Sequence, residues 1–251
     1  MSKQLLIYEK AVALSKERHS KWSVEVGDSF VFAAQVNSVP LMAAEFGAAA
    51  AEYSIVFVRG EDETYVPTVV LGLQQNQNVF VGPKQEWTAS YIPAFIRRYP
   101  FVFALSEDKK TFTLCIDEAF AGFNQSNRGQ KLFEKNGEPS RYVSDLMRFL
   151  QDYEGEFVKT RGFTANLDEL ELLEPMHAQI TSPGGEKKTL TGFYCVNREK
   201  LRNLPGKSLA RLSATGELEL AYLHLFSLRN FQELQRRSEQ SPGEREAVAQ
   251  G

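Results

Sequence analysis

Apolar positions recur first at the spacing of strands and later at the spacing of helices. Residues 23–36, S-V-E-V-G-D-S-F-V-F-A-A-Q-V, set Val24 and Val26 on one side of Glu25 and run on into aromatic and β-branched residues. That pattern predicts one or two strands broken at Gly27-Asp28. Pro40 suits the first turn of a helix through the alanine-rich L-M-A-A-E-F-G-A-A-A-A-E-Y, although Gly47 costs it about 1 kcal/mol. A strand, S-I-V-F-V, is expected at once afterwards. Two β-type runs, Y-V-P-T-V-V-L-G-L and V-F-V-G, flank Q-Q-N-Q-N and predict a hairpin; P-F-V-F-A-L and T-F-T-L-C-I-D, on either side of S-E-D-K-K, predict a second.

The period then changes. Residues 122–140 are polar and contain glycine, and read as an irregular segment; beyond them Ser140 can cap a helix whose apolar residues Val143, Leu146, Phe149, Leu150, Tyr153 and Phe157 fall three or four apart. Asn166 and Glu169 resemble a capping box that opens a short run closed by Pro175. Strands are expected around 176–181 and 190–196, joined by S-P-G-G. After them come a short helix R-E-K-L-R-N-L ending at Pro205, a second in S-L-A-R-L-S-A, and a long amphipathic segment from Leu218 to Arg237. Strands crowd the first half and helices dominate the second, which is the pattern of an α+β fold with a largely antiparallel sheet. The expected organisation is one domain over 1–240, with two lobes meeting near 122–140 as the alternative, and a disordered tail over 241–251 that is poor in apolar residues.

Composition narrows the functional classes. The 251 residues carry a formal net charge of -3, so the molecule as a whole lacks the positive field that draws nucleic acid or anionic membranes. Cys115 and Cys195 are far apart, each within an apolar run, and are expected to be free, buried thiols. Glu9 and Lys10 interrupt the apolar residues at the N-terminus, so no secretory signal is expected there, and no run reaches the ~18 apolar residues of a membrane span. A cytoplasmic location is the expectation.

Motifs for chemistry are sparse. His19, His177 and His224 show no metal-ligand spacing, there is no Cys-x-x-Cys pair, and no metal or cofactor is expected. His224, between leucines in Y-L-H-L-F, reads as a structural helix residue. P-G-K-S at 205–208 is similar to the end of a phosphate-binding loop, but Leu201 stands where that loop needs glycine, and a helix stop followed by a Ser208 cap explains it. Glu45 is more informative, because the alanine-rich helix would bring its carboxylate beside an apolar face. There it serves either as half of a buried ion pair, with an arginine from the stretch described next, or as an acid or base of raised pKa.

The richest stretch is W-T-A-S-Y-I-P-A-F-I-R-R-Y-P-F-V-F, Trp87 to Phe103, with six aromatics and two adjacent arginines. Tyr91, Phe95 and Tyr99 fall four apart, predicting a slanted aromatic stripe on a helix that Ser90 caps and Pro100 ends, with Trp87 just ahead of it. Phe101 and Phe103 would then lie on one side of a strand. Core packing accounts for the stripe, and the helix dipole accounts for Arg97 and Arg98 at a helix C-terminus. Arginine beside Trp and Tyr is also the composition of binding hot spots and cation-π shelves. The candidate contact residues are therefore Glu45, Trp87, Tyr91, Arg97 and Arg98, with no catalytic residue assigned.

At these residues the chain resembles the bacterial SapC-like family, the surface-layer-associated one and not the peptide-transporter permease of the same name. The matching elements are His19, F-V-F-A-A from Phe30, A-A-E-F from Ala43, Y-S-I-V-F from Tyr53, P-T-V-V-L-G-L from Pro67, N-V-F-V from Asn78, the Trp87 stretch, K-L-F from Lys131, G-F-Y-C-V-N-R-E-K-L from Gly192 and G-E-L-E-L-A-Y-L-H-L-F-S-L from Gly216. The resemblance implies a link to a paracrystalline surface layer and gene neighbours such as TonB-dependent receptors, halogenase-like flavoproteins and cupin-like proteins. It implies no catalytic residues. The leading expectation is a non-enzymatic binding or accessory protein of a cell-envelope or uptake-related system, contacting a protein or small-molecule ligand near Trp87 to Tyr99. The alternatives are an enzyme or enzyme subunit acting on a peptide or siderophore-like substrate, with Glu45 as acid or base, and a surface-layer component.

Overall fold

A computed structural model describes residues 6–60, 62–105, 112–181 and 187–239. The elements, in chain order, begin with β1 (Ala11–Ala13), α1 (Lys16–His19), β2 (Ser23–Val24), β3 (Ser38–Pro40), α2 (Phe46–Ala49), β4 (Ser54–Arg59) and β5 (Tyr65–Val70). There follow α3 (Ala94–Arg97), β6 (Phe101–Leu105), β7 (Phe112–Asp117), β8 (Phe123–Asn124), β9 (Gln130–Lys131) and α4 (Arg141–Glu169). The last are β10 (Leu173–Thr181), β11 (Lys187–Val196), α5 (Arg198–Arg202), α6 (Gly206–Ala214), α7 (Glu217–Ser227) and α8 (Phe231–Glu239). The fold is α+β, and every strand pairing is antiparallel.

Two compact units share the chain, one made of residues 1–29 and 96–155 and the other of 30–95 and 156–251. The polar segment 122–140, expected as a boundary between lobes, lies inside the first unit. That unit holds two three-stranded sheets, ordered β1-β7-β6 and β8-β2-β9. The predicted hairpin of β6 and β7 is present, with Phe101 opposite Ile116 and Phe103 opposite Leu114; its turn at 106–110 lies outside the described residues. Phe101, Phe103, Leu114 and Ile116 are buried with Val24, Leu132, Phe133, Val143 and Leu150 in one apolar cluster. Ser140 caps α4 as predicted, its Oγ accepting from the Val143 N–H at 3.2 Å. The segment read as irregular contributes the short strands β8 and β9, which flank β2.

The second unit is built on a five-stranded sheet ordered β10-β11-β4-β5-β3, with α7 packed on α2, β4 and β11. Here several local expectations give way to tertiary contacts. The alanine-rich segment forms a 3-10 turn at Ala43–Glu45 and one turn of α-helix, α2, because its high propensity is spent within a few residues of β4. Val31–Ala33 is likewise a 3-10 turn and not strand. β5 pairs with β4 and β3 and not with 78–81, where Val81 makes an isolated bridge to Trp87. At the other end, α4 runs unbroken to Glu169, so Asn166 opens no new helix. Its side chain donates to Glu217 at 2.7 Å instead.

The long segment after Gly216 is divided. Gly216 takes φ 77°, a left-handed conformation suited to glycine, where α6 turns into α7. A 3-10 turn at Leu228–Asn230 then separates α7 from α8, because side chains there are committed to the sheet side. Ser227 Oγ accepts from the Ile55 N–H at 3.0 Å, and Asn230 donates to the Ala50 and Tyr53 carbonyls at 2.9 and 2.8 Å. The S-P-G-G turn and the expected tail lie outside the described residues.

Candidate functional site

The Trp87 stretch divides between the units within α3, and each part has its own environment. In the second unit, Glu45 is buried at the end of the 3-10 turn before α2. Its Oε1 accepts from the Tyr91 hydroxyl and the Ala94 N–H, both at 2.7 Å, and its Oε2 from the Met42 N–H at 2.9 Å. Three donors on one buried carboxylate give it a structural task, which is to tie the chain before α3 to the turn before α2. These three bonds take up most of the acceptor capacity of the carboxylate.

Glu52 does the same a few residues on, accepting from the Ser90 N–H at 2.8 Å and the Tyr91 N–H at 2.9 Å. Tyr53 donates its hydroxyl to the Tyr91 carbonyl and accepts from Trp87 Nε1 at 2.8 Å. Burial raises the Tyr53 phenol, so it stays a neutral donor. Trp87 is 9% exposed, with its ring centroid 5.5 Å from Phe30 and stacked at 6.2 Å on Phe80. Its indole is an interior anchor with one polar handle, and Tyr91 is half-buried. These contacts explain why α3 begins at Ala94 and not at Ser90. The Tyr91 carbonyl that a longer helix would use is taken by Tyr53, and Ile92, as the residue before Pro93, is disfavoured in the helical region.

In the first unit, the two arginines part company. Arg97 is exposed, with its guanidinium carbon 5.5 Å from the Phe149 ring centroid of α4. Arg98 is 1% exposed, set 5.0 Å from the Tyr153 ring and 5.9 Å from that of Tyr8. Burial raises the Tyr8 phenol, with the Arg98 charge opposing, and its hydroxyl donates to the Phe101 carbonyl at 2.6 Å. Burial also raises the Glu154 carboxyl, again opposed by Arg98. Arg98 therefore acts inside the unit, where stacking on tyrosine suits a weakly hydrated guanidinium.

A second polar cluster in the first unit escaped sequence reasoning. His19 is fully buried; its Nδ1 accepts from the Ser15 N–H at 3.1 Å, which leaves Nε2 to donate to Glu118 Oε1 at 3.1 Å. Lys10 and Arg18 reach Glu118 Oε2 at 3.0 and 2.6 Å. Burial raises the Glu118 carboxyl, but the hydrogen bonds from Lys10 and His19 and the Arg18 charge outweigh it and hold the group below its usual range. Beside it, Asp117 accepts from the N–H groups of Glu9 and Lys10, each at 2.9 Å, and from the Tyr99 hydroxyl at 3.3 Å. The clue in the sequence was the acidic pair that ends an apolar strand, Asp117-Glu118 after T-F-T-L-C-I. His19 lies 99 residues away, and no local pattern links the two.

His224 is fully buried against Phe57, with 4.8 Å between ring centroids, and its Nε2 accepts from the Val196 N–H at 3.1 Å. Burial pushes this imidazole down to about 3, which keeps it neutral. Its role is structural, as the leucines around it suggest. Cys115 and Cys195 are free thiols, both raised by burial, Cys195 to about 11, which suppresses the reactive thiolate. Among the described residues no three His, Cys, Asp or Glu side chains are grouped as a metal site, and no helix is long and apolar enough to cross a membrane.

A family model described as SapC matches residues 14–234 of the chain. No curated protein and no solved structure matches it.

Proposed function

The chain belongs to the SapC family, and we propose that it acts there as a cytoplasmic, non-enzymatic binding or accessory protein of a bacterial cell-envelope or uptake-related system. In this reading it recognises an acidic group, on a protein or a small molecule, through the surface around Arg97. One observation carries the proposal: of the five candidate residues, Arg97 is the exposed one, whereas Glu45, Trp87 and Arg98 are buried and Tyr91 is half-buried. A guanidinium backed by the Phe149 ring can grip a carboxylate or phosphate with two parallel hydrogen bonds. The three donors on Glu45 favour this reading over an acid-base enzyme using that residue.

The test is affinity capture from native-host extract, with proteins and small molecules both identified by mass spectrometry. Wild type is compared with Arg97→Ala and with Arg202→Ala, an exposed arginine elsewhere in the chain. Loss of an acidic species with Arg97→Ala alone is expected. Equal recovery by all three proteins would sink the proposal.

A further inference from the structure

Outside its most buried positions α7 carries Leu218, Leu220, Tyr222, Leu223, Leu225 and Phe226, more apolar surface than a solvated helix face needs. Its inner face is buried through Glu217, Ala221, His224 and Ser227. The opposite face is open: Tyr222 is 46% and Phe226 47% exposed, Glu219 is exposed in the first turn of α7, and Arg229 is exposed in the 3-10 turn that continues it. Arg229 lies with its guanidinium carbon 3.8 Å from the Phe226 ring centroid, so a cation borders the aromatic patch. The open stripe therefore reads Glu219, Tyr222, Phe226, Arg229, with steps of three, four and three residues.

That spacing is symmetric about residue 224, and the chemistry along it is complementary under reversal. We propose that this stripe is a self-association surface, on which α7 of a second copy of this chain packs antiparallel across a two-fold axis at the level of residue 224. In that register Tyr222 of one copy faces Phe226 of the other, and Glu219 faces Arg229, at both ends of the pair at once. An isologous contact requires such self-complementarity, with residue i meeting j while j meets i. A parallel arrangement would set Glu219 on Glu219 and Arg229 on Arg229, so charge selects the antiparallel one. Steps of three and four residues also form the seam along which antiparallel helices interlock. The contact area of one short helix pair is small, so the dimer is weak and in concentration-dependent exchange with monomer.

Sedimentation of the full chain from about 1 to about 300 μM spans the range in which so small an interface half-dissociates. Wild type is expected to pass from monomer to dimer. Arg229→Glu, which sets like charges opposite each other, is expected to weaken the dimer by about tenfold or more, and the double swap Glu219→Arg with Arg229→Glu to restore it to within about threefold of wild type. Phe226→Asp is expected to abolish it, with unchanged circular dichroism showing that the monomer is folded. Wild type that stays monomeric throughout overturns the proposal, including the case in which hydrogen exchange shows the face covered by something other than a second copy. A dimer indifferent to Arg229→Glu, or one not recovered by the double swap, overturns it equally.

Discussion

The two parts of the Trp87–Phe103 stretch look alike in sequence and behave differently in the fold. From Trp87 to Ala94 the Trp87 indole, the Tyr91 hydroxyl and the N–H groups of Ser90, Tyr91 and Ala94 are tied to Tyr53, Glu52 and Glu45 in one unit. At Arg97 and Arg98, in the other unit, neighbouring residues of the same type take opposite tasks, one exposed over Phe149 and one buried against Tyr153. Composition signals a binding hot spot equally well in both parts. What separates anchor from contact is burial, and that is fixed by residues dozens of positions away.

This contrast can be broken first at Glu45. Glu45→Ala strands the Tyr91 hydroxyl and the N–H groups of Met42 and Ala94, and an expected loss of about 3 to 5 kcal/mol follows from the cost of unsatisfied buried donors. A urea midpoint close to wild type would show Glu45 to be dispensable to the fold and would reopen a catalytic role. Arg98→Ala is expected to cost about 2 to 4 kcal/mol through the space left between Tyr8 and Tyr153, and the same denaturation series checks it.

His224 extends the rule to a polar group outside the stretch. Its folded pKa, about 3, lies below the ordinary 6.5, so the unfolded chain takes up the proton more readily. Stability should therefore be complete above pH 6.5 and fall as the pH drops towards 3, by roughly 3 kcal/mol between pH 7 and pH 4 from this residue. His224→Gln, which keeps a side-chain acceptor and does not ionise, should flatten that part of the profile; an unchanged slope would remove His224 from the account. Smaller still is Trp87→Phe, which keeps most of the packing but loses the bond to Tyr53, at an expected cost of about 1 kcal/mol seen as a lowered midpoint.

Legibility in the sequence followed the range of the determining contacts. The β6–β7 hairpin and the Ser140 cap of α4 rest on neighbours close in the chain, and alternation and capping residues reveal them. The buried role of His224 was readable from its flanking leucines. The shortened α2 and α3 were not readable, because alanine content and a four-residue aromatic spacing favour longer helices until β4 and Tyr53 claim the same backbone. The partners of β5 and the meeting of His19 with Glu118 likewise depend on distant segments. At the candidate site, the arginine pair stood out by composition, but which of the two faces solvent depends on α4, some fifty residues on.

The most direct measurement is made on Arg97→Ala. The account predicts a urea midpoint within about 0.5 kcal/mol of wild type, as for an exposed side chain, together with at least about tenfold weaker binding of the acidic species that wild type captures, measured by calorimetry. A folded Arg97→Ala protein that binds that species as tightly as wild type would contradict it.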